Sequence, residues 1–536
     1  IPYLWKDLSC LNASSSARRQ AFTTLLLEDY LQEQRKTELQ NDEHASEQPV
    51  KAQPPAPSAL AKYGCWIRIL PDPKGLVQLS DDSTQLAQAL PRQDNQSTEQ
   101  ELLLHFFKRH QEAQLPHYSL EYDTLGSSPL KETVAQIVLP RVRHLSVEAS
   151  YHGKRGELWK LKRLLGLCST ALEKLTLEIT YKYDDDLSVY VGYDPDFKAE
   201  EEEPNTTSST EWSSLKELVL WPIDCVGPLQ PTKFWSWFYK RCDQVERIEV
   251  SNFRRGAAEG ITQNMLEHMP NLNEITVGGG HGSTIKPERI ASLLSGSRNG
   301  WKVIDLKMPV NFFGEVEDTI QKHSPTLEVL RISCFGVPGD KLVEVFSSSP
   351  HLHTFHGVVE RTYIKSNLFI DQDPDTGVLK TWSCENSLKM LKVAIRDIPR
   401  PDLEGTTKEA HPGQGREIQG LVYDRLARLT NLETLSLGDA PEEEAYRRGR
   451  PARNQSDCLE MSLESGLHKL SELTKLKELN VLGMKTKIGI KEIQWMTEHW
   501  PRLRVLRGLD ESDDDGKQVV QWLQEHHPEV DLMRAH

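Results

Sequence analysis

The sequence predicts an α/β solenoid, a row of parallel strands each followed by a helix or a loop, with units stacked edge to edge. Three observations carry that expectation. An apolar frame of the form L-x-x-L-x-L recurs thirteen times from residue 115 to residue 508, at separations of 25 to 44 residues. Most intervening stretches space their apolar residues as one face of a helix. Finally, one such unit cannot fold alone. Its strand offers about three inward apolar side chains at roughly 1.5–3 kcal/mol each when fully buried. Ordering some 25 residues costs about 1–2 kcal/mol of backbone entropy apiece, so neighbours have to be stacked before any unit is stable.

The frame reads LPHYSL at 115, VRHLSV at 142, LEKLTL at 172, LKELVL at 215, VERIEV at 245, LNEITV at 272 and WKVIDL at 301. It continues with LEVLRI at 327, LHTFHG at 352, LKMLKV at 388, LETLSL at 432, LKELNV at 476 and LRVLRG at 503. Between frames, Ile261, Met265 and Met269 recur every four residues, Pro287 opens a segment with Ile290, Leu293 and Leu294 on one face, and Leu342 pairs with Phe346. Helices then stop at a Pro just before the next frame, in MPNL at 269, SPTL at 324, SPHL at 349 and WPRL at 500. A divergent strand at 63–70 (YGCWIRIL) suits a starting cap, and 519–532 (VVQWLQEHHPEVDL) supplies a last helix and a short strand.

These repeats resemble the leucine-rich-repeat proteins, in particular the fungal F-box/leucine-rich-repeat type, over roughly residues 60 to 536. The resemblance implies a horseshoe or arc with a parallel concave sheet and helices on the convex side. The motif is degenerate: where the family expects Asn or Cys after the frame, Ser150, Ile223 and Phe335 stand, so no regular asparagine ladder is expected. IPYLWKDL at 1–8 is similar to the stretch that follows an F-box. That likeness implies a Skp adaptor and a cullin ligase as partners through a module upstream of Ile1. The remaining organisation is a lead-in and helix over 1–39, a Pro/Ala/polar linker over 40–60, and the solenoid over 61–536 with inserted loops near 181–213, 395–417 and 439–460.

Composition narrows the function. Acidic residues outnumber basic ones, 79 to 64, with a pI near 5.7, which argues against a broad nucleic-acid or anionic-membrane surface. Ten acidic side chains against Lys182 and Lys198 fall within 182–211, a density that favours a solvated loop. No apolar run approaches the ~18 residues a spanning helix needs. Eight scattered cysteines form no CxxC pair, which fits a reducing compartment, cytoplasm or nucleus.

Catalytic and cofactor motifs are missing, so no enzyme, cofactor or metal is expected. GGGHGST at 278–284 lacks the Lys of a phosphate-binding loop, HLHTFH at 351–356 points its imidazoles apart, and Arg-Gly-Arg-Pro within 447–453 is a single basic turn beside Glu442, Glu443 and Glu444. The strand geometry points elsewhere. With the first, fourth and sixth frame positions inward, the third, fifth and seventh project from the concave sheet. Those columns place Trp221, Arg247, Glu249, Asp305, Lys307, Arg331, His356 and Lys392 on one face, acidic toward the N-terminal half and more basic from Arg331 to Lys392. An exposed Trp and Arg in a concavity are residue types that dominate protein-binding hot spots. Two functions follow: a receptor that presents a target protein to a ubiquitin ligase, or a repeat scaffold or regulator, for example of a small GTPase, with no ligase.

Overall fold

The computed structural model describes residues 115–123, 135–136, 138–151, 157–181, 212–221, 233–251, 266–278, 287–307, 314–332, 337–357, 362–400, 412–438, 457–509 and 514–533. Several expected features lie outside these residues: the lead-in and helix over 1–39, the linker over 40–60, the cap strand at 63–70, the acidic stretch 182–211, most of the glycine run at 278–284, and the basic turn at 447–453. The chain divides into two compact units, residues 1–248 with 267–271 and residues 249–266 with 272–536.

In the first unit, β1 (Leu115–Asp123), β2 (Val142–Tyr151), β3 (Lys174–Tyr181) and β4 (Glu217–Trp221) pair in chain order, all parallel. The helix α1 (Glu157–Leu165) follows β2 and α2 (Lys233–Tyr239) follows β4. The strand β5 (Arg247–Ser251) starts in this unit and ends in the next.

The second unit carries β6 (Glu274–Gly278), β7 (Val303–Lys307), β8 (Val329–Ile332) and β9 (Thr354–Gly357), with α3 (Pro287–Ser295), α4 (Glu315–Lys322) and α5 (Gly339–Ser348) between successive strands. A short parallel pair, β10 (Tyr363–Lys365) and β12 (Ala394–Arg396), stands apart from the main ladder, with α6 (Ser366–Phe369) after β10. The ladder itself resumes at β11 (Met390–Lys392) and runs through β13 (Thr434–Ser436), β14 (Glu478–Asn480), β15 (Val505–Arg507) and β16 (Asp531–Met533). Between these lie α7 (Pro412–Ala427), a 3-10 turn at Leu467–Glu472, α8 (Ile490–His499) and α9 (Asp514–His526).

Each of the thirteen frames lies on one strand, and the frame sets the register. In the first unit Leu145 stands opposite Leu175, and Leu175 opposite Leu218. In the second, the fourth positions Ile275, Ile304, Leu330, Phe355, Leu391, Leu435, Leu479 and Leu506 form one row, none more than 1 % exposed. Because side chains alternate with period two, a one-residue slip would turn that entire row to solvent. Ile320 of α4 and Leu342 and Val345 of α5 line a small cavity with Leu330 and Ile332 of β8, so helices cover the face that carries the frame. Successive strand entries are tied alike: the N–H groups of Glu328 and Val329 donate to Lys302 O (2.8 and 2.9 Å), and those of His353 and Thr354 to Glu328 O (2.9 and 3.2 Å).

The loops expected near 395–417 and 439–460 are structured at their ends. Ala394, Ile395 and Ile398 are at most 3 % exposed, and Arg400 is 2 % exposed, its Nη1 donating to Lys485 O at 2.6 Å. The N–H of Ile398 donates to Asp457 O at 3.1 Å, so the two insertions hold each other. Helix α7 already begins at Pro412. A frame-based reading misses this packing because the apolar residues of an insertion follow no repeat period.

The long excursion after β9 is closed by one buried cation. Arg425 of α7 is fully buried. Its Nη1 donates to Glu385 Oε1 at 2.9 Å and to Lys380 O, its Nε to Phe369 O at 3.2 Å and its Nη2 to Asp371 O at 3.3 Å. The guanidinium also lies 4.7 Å from the centre of the Trp382 ring. Glu385 Oε1 accepts the Trp382 N–H at 3.1 Å as well, so one ion pair pins three turns of chain. Removing one partner of a buried pair strands the other charge. Arg425→Ala is therefore expected to destabilise the second unit by about 3–5 kcal/mol. Arg425→Lys should recover only part of this, because an ammonium lacks the planar fork that spans these acceptors. Urea midpoints followed by Trp fluorescence measure both, and a midpoint unchanged by Arg425→Ala would remove the clamp from the account.

Candidate protein-binding face

The fifth frame positions of the second unit stand in register across eight strands: Thr276, Asp305, Arg331, His356, Lys392, Ser436, Asn480 and Arg507. Neighbouring strands lie about 4.8 Å apart, so these side chains leave the sheet as a closely spaced row. Their environments differ sharply. Asp305 is buried, its carboxylate 3.6 Å from Arg331 Nη1. Burial pushes its pKa up, while Lys307 and Arg331 pull it back. Lys307, next to it on β7, donates to Glu249 Oε1 at 3.2 Å.

His356 sits between Arg331 and Lys392. Withdrawal from water, then the charges of Lys392 and Arg331, push its pKa down to about 4, so the ring is neutral at pH 7. Among the described residues no carboxylate pairs with Lys392. Ser436 and Asn480 are buried: Asn480 Nδ2 donates to Ser436 Oγ at 2.9 Å, and Asn480 Oδ1 accepts the Leu482 N–H at 3.0 Å. The Leu482 backbone passes so close to Gly438 and Gly508 that a Cβ there would stand 2.3 Å from it, so both positions require glycine.

Six of the eight residues singled out from the sequence thus belong to the second unit: Glu249, Asp305, Lys307, Arg331, His356 and Lys392. Two ion pairs lie among them, Lys307 with Glu249 and Arg331 with Asp305, and His356 and Lys392 follow in the same row. Asp305 contributes charge but almost no surface, since the neighbours that hold it also cover it. The other two belong to the first unit. Arg247 Nη1 lies 3.6 Å from Glu217, which also accepts from Lys174 at 2.5 Å. Trp221 ends β4 opposite Glu178, and its side chain lies outside the described residues. Glu148 and Glu178 stand in register on this unit, and burial followed by repulsion from Glu148 raises the Glu178 pKa.

Sequence reasoning missed a second pattern. Four couples of second frame positions carry opposite signs and pair across neighbouring strands: Arg143 with Glu173, Lys216 with Glu246, Lys302 with Glu328, and Lys477 with Glu433. Reading that column as well as the outward ones reveals it. These pairs are solvent-exposed, so each adds at most about 1 kcal/mol; they favour one order of strands by sign.

Cys168, Cys242, Cys384 and Cys458 are free and buried, and burial raises every one of their pKa values, Cys168 and Cys384 to about 12, which leaves thiols rather than reactive thiolates. Among the described residues no group of three or more His, Cys, Asp or Glu could hold a metal ion, and no helix is long and apolar enough to cross a membrane.

Parallel strands in frame register, backed by helices in a repeating α/β order, define the architecture. This is the leucine-rich-repeat fold. No protein-family model matches the chain, and no curated protein does. Sixty solved chains do. They include the yeast complex of Rad7 and Elc1, with TM-score 0.31, 10 % identity, and coverage of 60 % of this chain and 80 % of that one. Also similar is an internalin (inlF) from Listeria monocytogenes, with TM-score 0.34, 12 % identity, and coverage of 82 % and 88 %. A third is TLR13 in complex with ssRNA13, with TM-score 0.34, 11 % identity, and coverage of 88 % and 62 %.

The depressed His356 pKa has a consequence for stability. A histidine with folded pKa about 4 and unfolded pKa about 6.5 binds fewer protons when folded, so stability is full above pH ~6.5 and falls as pH drops toward ~4. Allowing for partial exposure, the loss is about 2 kcal/mol. His356→Gln should flatten this part of the pH profile, checked by urea midpoints at pH 7.5 and 4.5; an identical loss in the variant assigns the acid sensitivity to other groups.

Proposed function

We propose that the chain is a non-catalytic protein-binding module whose target lies on the open, outward face of its strands. One observation carries this reading. The strand residues facing the helices are buried in unbroken rows, whereas the opposite face of the second unit presents an ordered, charge-bearing row at about 4.8 Å spacing. A sheet face of this kind meets a folded or extended partner along its length, with opposed charges selecting orientation more than adding affinity.

The finer reading is that the module is the substrate-receptor part of an SCF-type ubiquitin ligase, joined to a Skp adaptor and cullin through an F-box. Its support is the likeness of IPYLWKDL at 1–8 to the stretch after an F-box. The alternative is a leucine-rich-repeat scaffold or regulator unconnected with ubiquitin. Copurification of the natural full-length protein with a Skp-type adaptor separates them: retention supports the receptor, and absence favours the scaffold.

For the target itself, reversing Arg331 and Lys392 together should slow association and alter its salt dependence. Trp221→Ala should cost about 2 kcal/mol or more of binding if that side chain is a hot spot. Surface plasmon resonance over a salt series reads both effects. A partner indifferent to both changes binds somewhere other than these strands.

A further inference from the structure

Within the proposed face lies a narrower window with a definite chemical sign. Asp305 and Ser436, both buried, bound a stretch of the fifth-position row in which Arg331, His356 and Lys392 reach solvent. Arg331 has a counter-ion in Asp305 at 3.6 Å, and Lys307 has one in Glu249 at 3.2 Å. Lys392, on the far side of His356, has none among the described residues. Three cations, Lys307, Arg331 and Lys392, against two anions, Glu249 and Asp305, leave one surplus positive charge, and it sits at the Lys392 end.

Arg331 and Lys392 emerge from strands on either side of β9, about 10 Å apart at the backbone. A carboxylate placed over the imidazole is within reach of both long side chains. We propose that this window binds an acidic segment of a partner protein, one carboxylate seating over His356 between Arg331 and Lys392, and that His356 takes up a proton on binding. The proposal rests on the open-face reading and adds the sign of the partner's charge and a coupling to pH.

The coupling follows from what surrounds the ring. From β8 it is faced by Arg331 and from β11 by Lys392; the carboxylate in the same row, Asp305, is two strands away beyond Arg331. In the free protein partial burial, then the two cations, favour the neutral imidazole. A bound carboxylate reverses the local field and favours the imidazolium. Linkage then requires affinity to rise as pH falls, while the partner's Glu side chains, with pKa about 4.3, stay ionised down to about pH 5.5.

The test uses the full chain and three labelled twelve-residue peptides, alternating Ser with Glu, Gln or Lys, in anisotropy titrations at low salt. The Glu peptide should bind and the Gln and Lys peptides should not. Affinity for the Glu peptide should rise about tenfold from pH 7.5 to pH 5.5 if the bound ring titrates near about 6.5. Lys392→Glu should abolish binding, and Lys392→Gln, the milder change, should weaken it at least fivefold should the reversal unfold the chain. His356→Gln should remove the pH gain. In parallel, the His356 ring resonance of histidine-labelled protein, assigned by its loss in His356→Gln, should titrate at least one pH unit higher with the Glu peptide bound. Glu-peptide binding indifferent to both Lys392 variants, an unmoved His356 titration, or no binding at millimolar peptide would overturn the inference. Preferential binding of the Lys peptide, lost in Glu249→Gln, would overturn it while leaving the open-face reading intact.

Discussion

Burial of the fourth-position row organises the second unit. Ile275, Ile304, Leu330, Phe355, Leu391, Leu435, Leu479 and Leu506 stand side by side, each supplied by a different repeat and none able to bury its side chain without its neighbours. Each such side chain contributes roughly 1.5–3 kcal/mol when withdrawn from water, and the stack shares that gain between adjacent units. With the row inside, strict alternation leaves the fifth positions facing outward or covered from outside. The polar row is thus a geometric consequence of the apolar one.

The interruptions are held by a different kind of interaction. Where the spacing between frames lengthens to 36 and 44 residues, the extra chain packs through polar anchors: Arg425 under the excursion after β9, and Arg400 joining the insertions on either side of α7. Buried guanidinium groups suit this task because one side chain can satisfy several backbone carbonyls whose positions follow no repeat. Apolar packing builds the array, and directional hydrogen bonds fasten what does not obey its period.

Charge is organised in two distinct ways on the same strands. At the strand entries, opposite signs pair, Lys302 with Glu328 and Lys477 with Glu433, leaving little net field. In the fifth positions the pairing stops at Arg331 and Asp305, and the row continues through a neutral His356 to Lys392. A paired ladder serves register, while an incompletely balanced row retains attraction for a partner. The difference lies in which carboxylates the neighbouring repeats supply, so function can diverge at these positions without disturbing the apolar frame.

Thirteen strand positions, their parallel register and the inward rows of the described frames were legible in the amino-acid pattern, because a period-two apolar pattern admits one orientation once a face is buried. Leu330 and Arg331 could be assigned to opposite faces from their places in LEVLRI alone. How exposed each outward residue is follows from the folded chain around it. Asp305 and Asn480 occupy the same frame position as Arg331, yet both are buried, one by its charged neighbours and the other by the chain turning at Leu482. The tertiary structure also decided the Arg425 and Arg400 anchors. Frame position encodes direction, which is local; exposure and partnership depend on what distant segments lay over that position, and the repeat pattern carries no information about those segments.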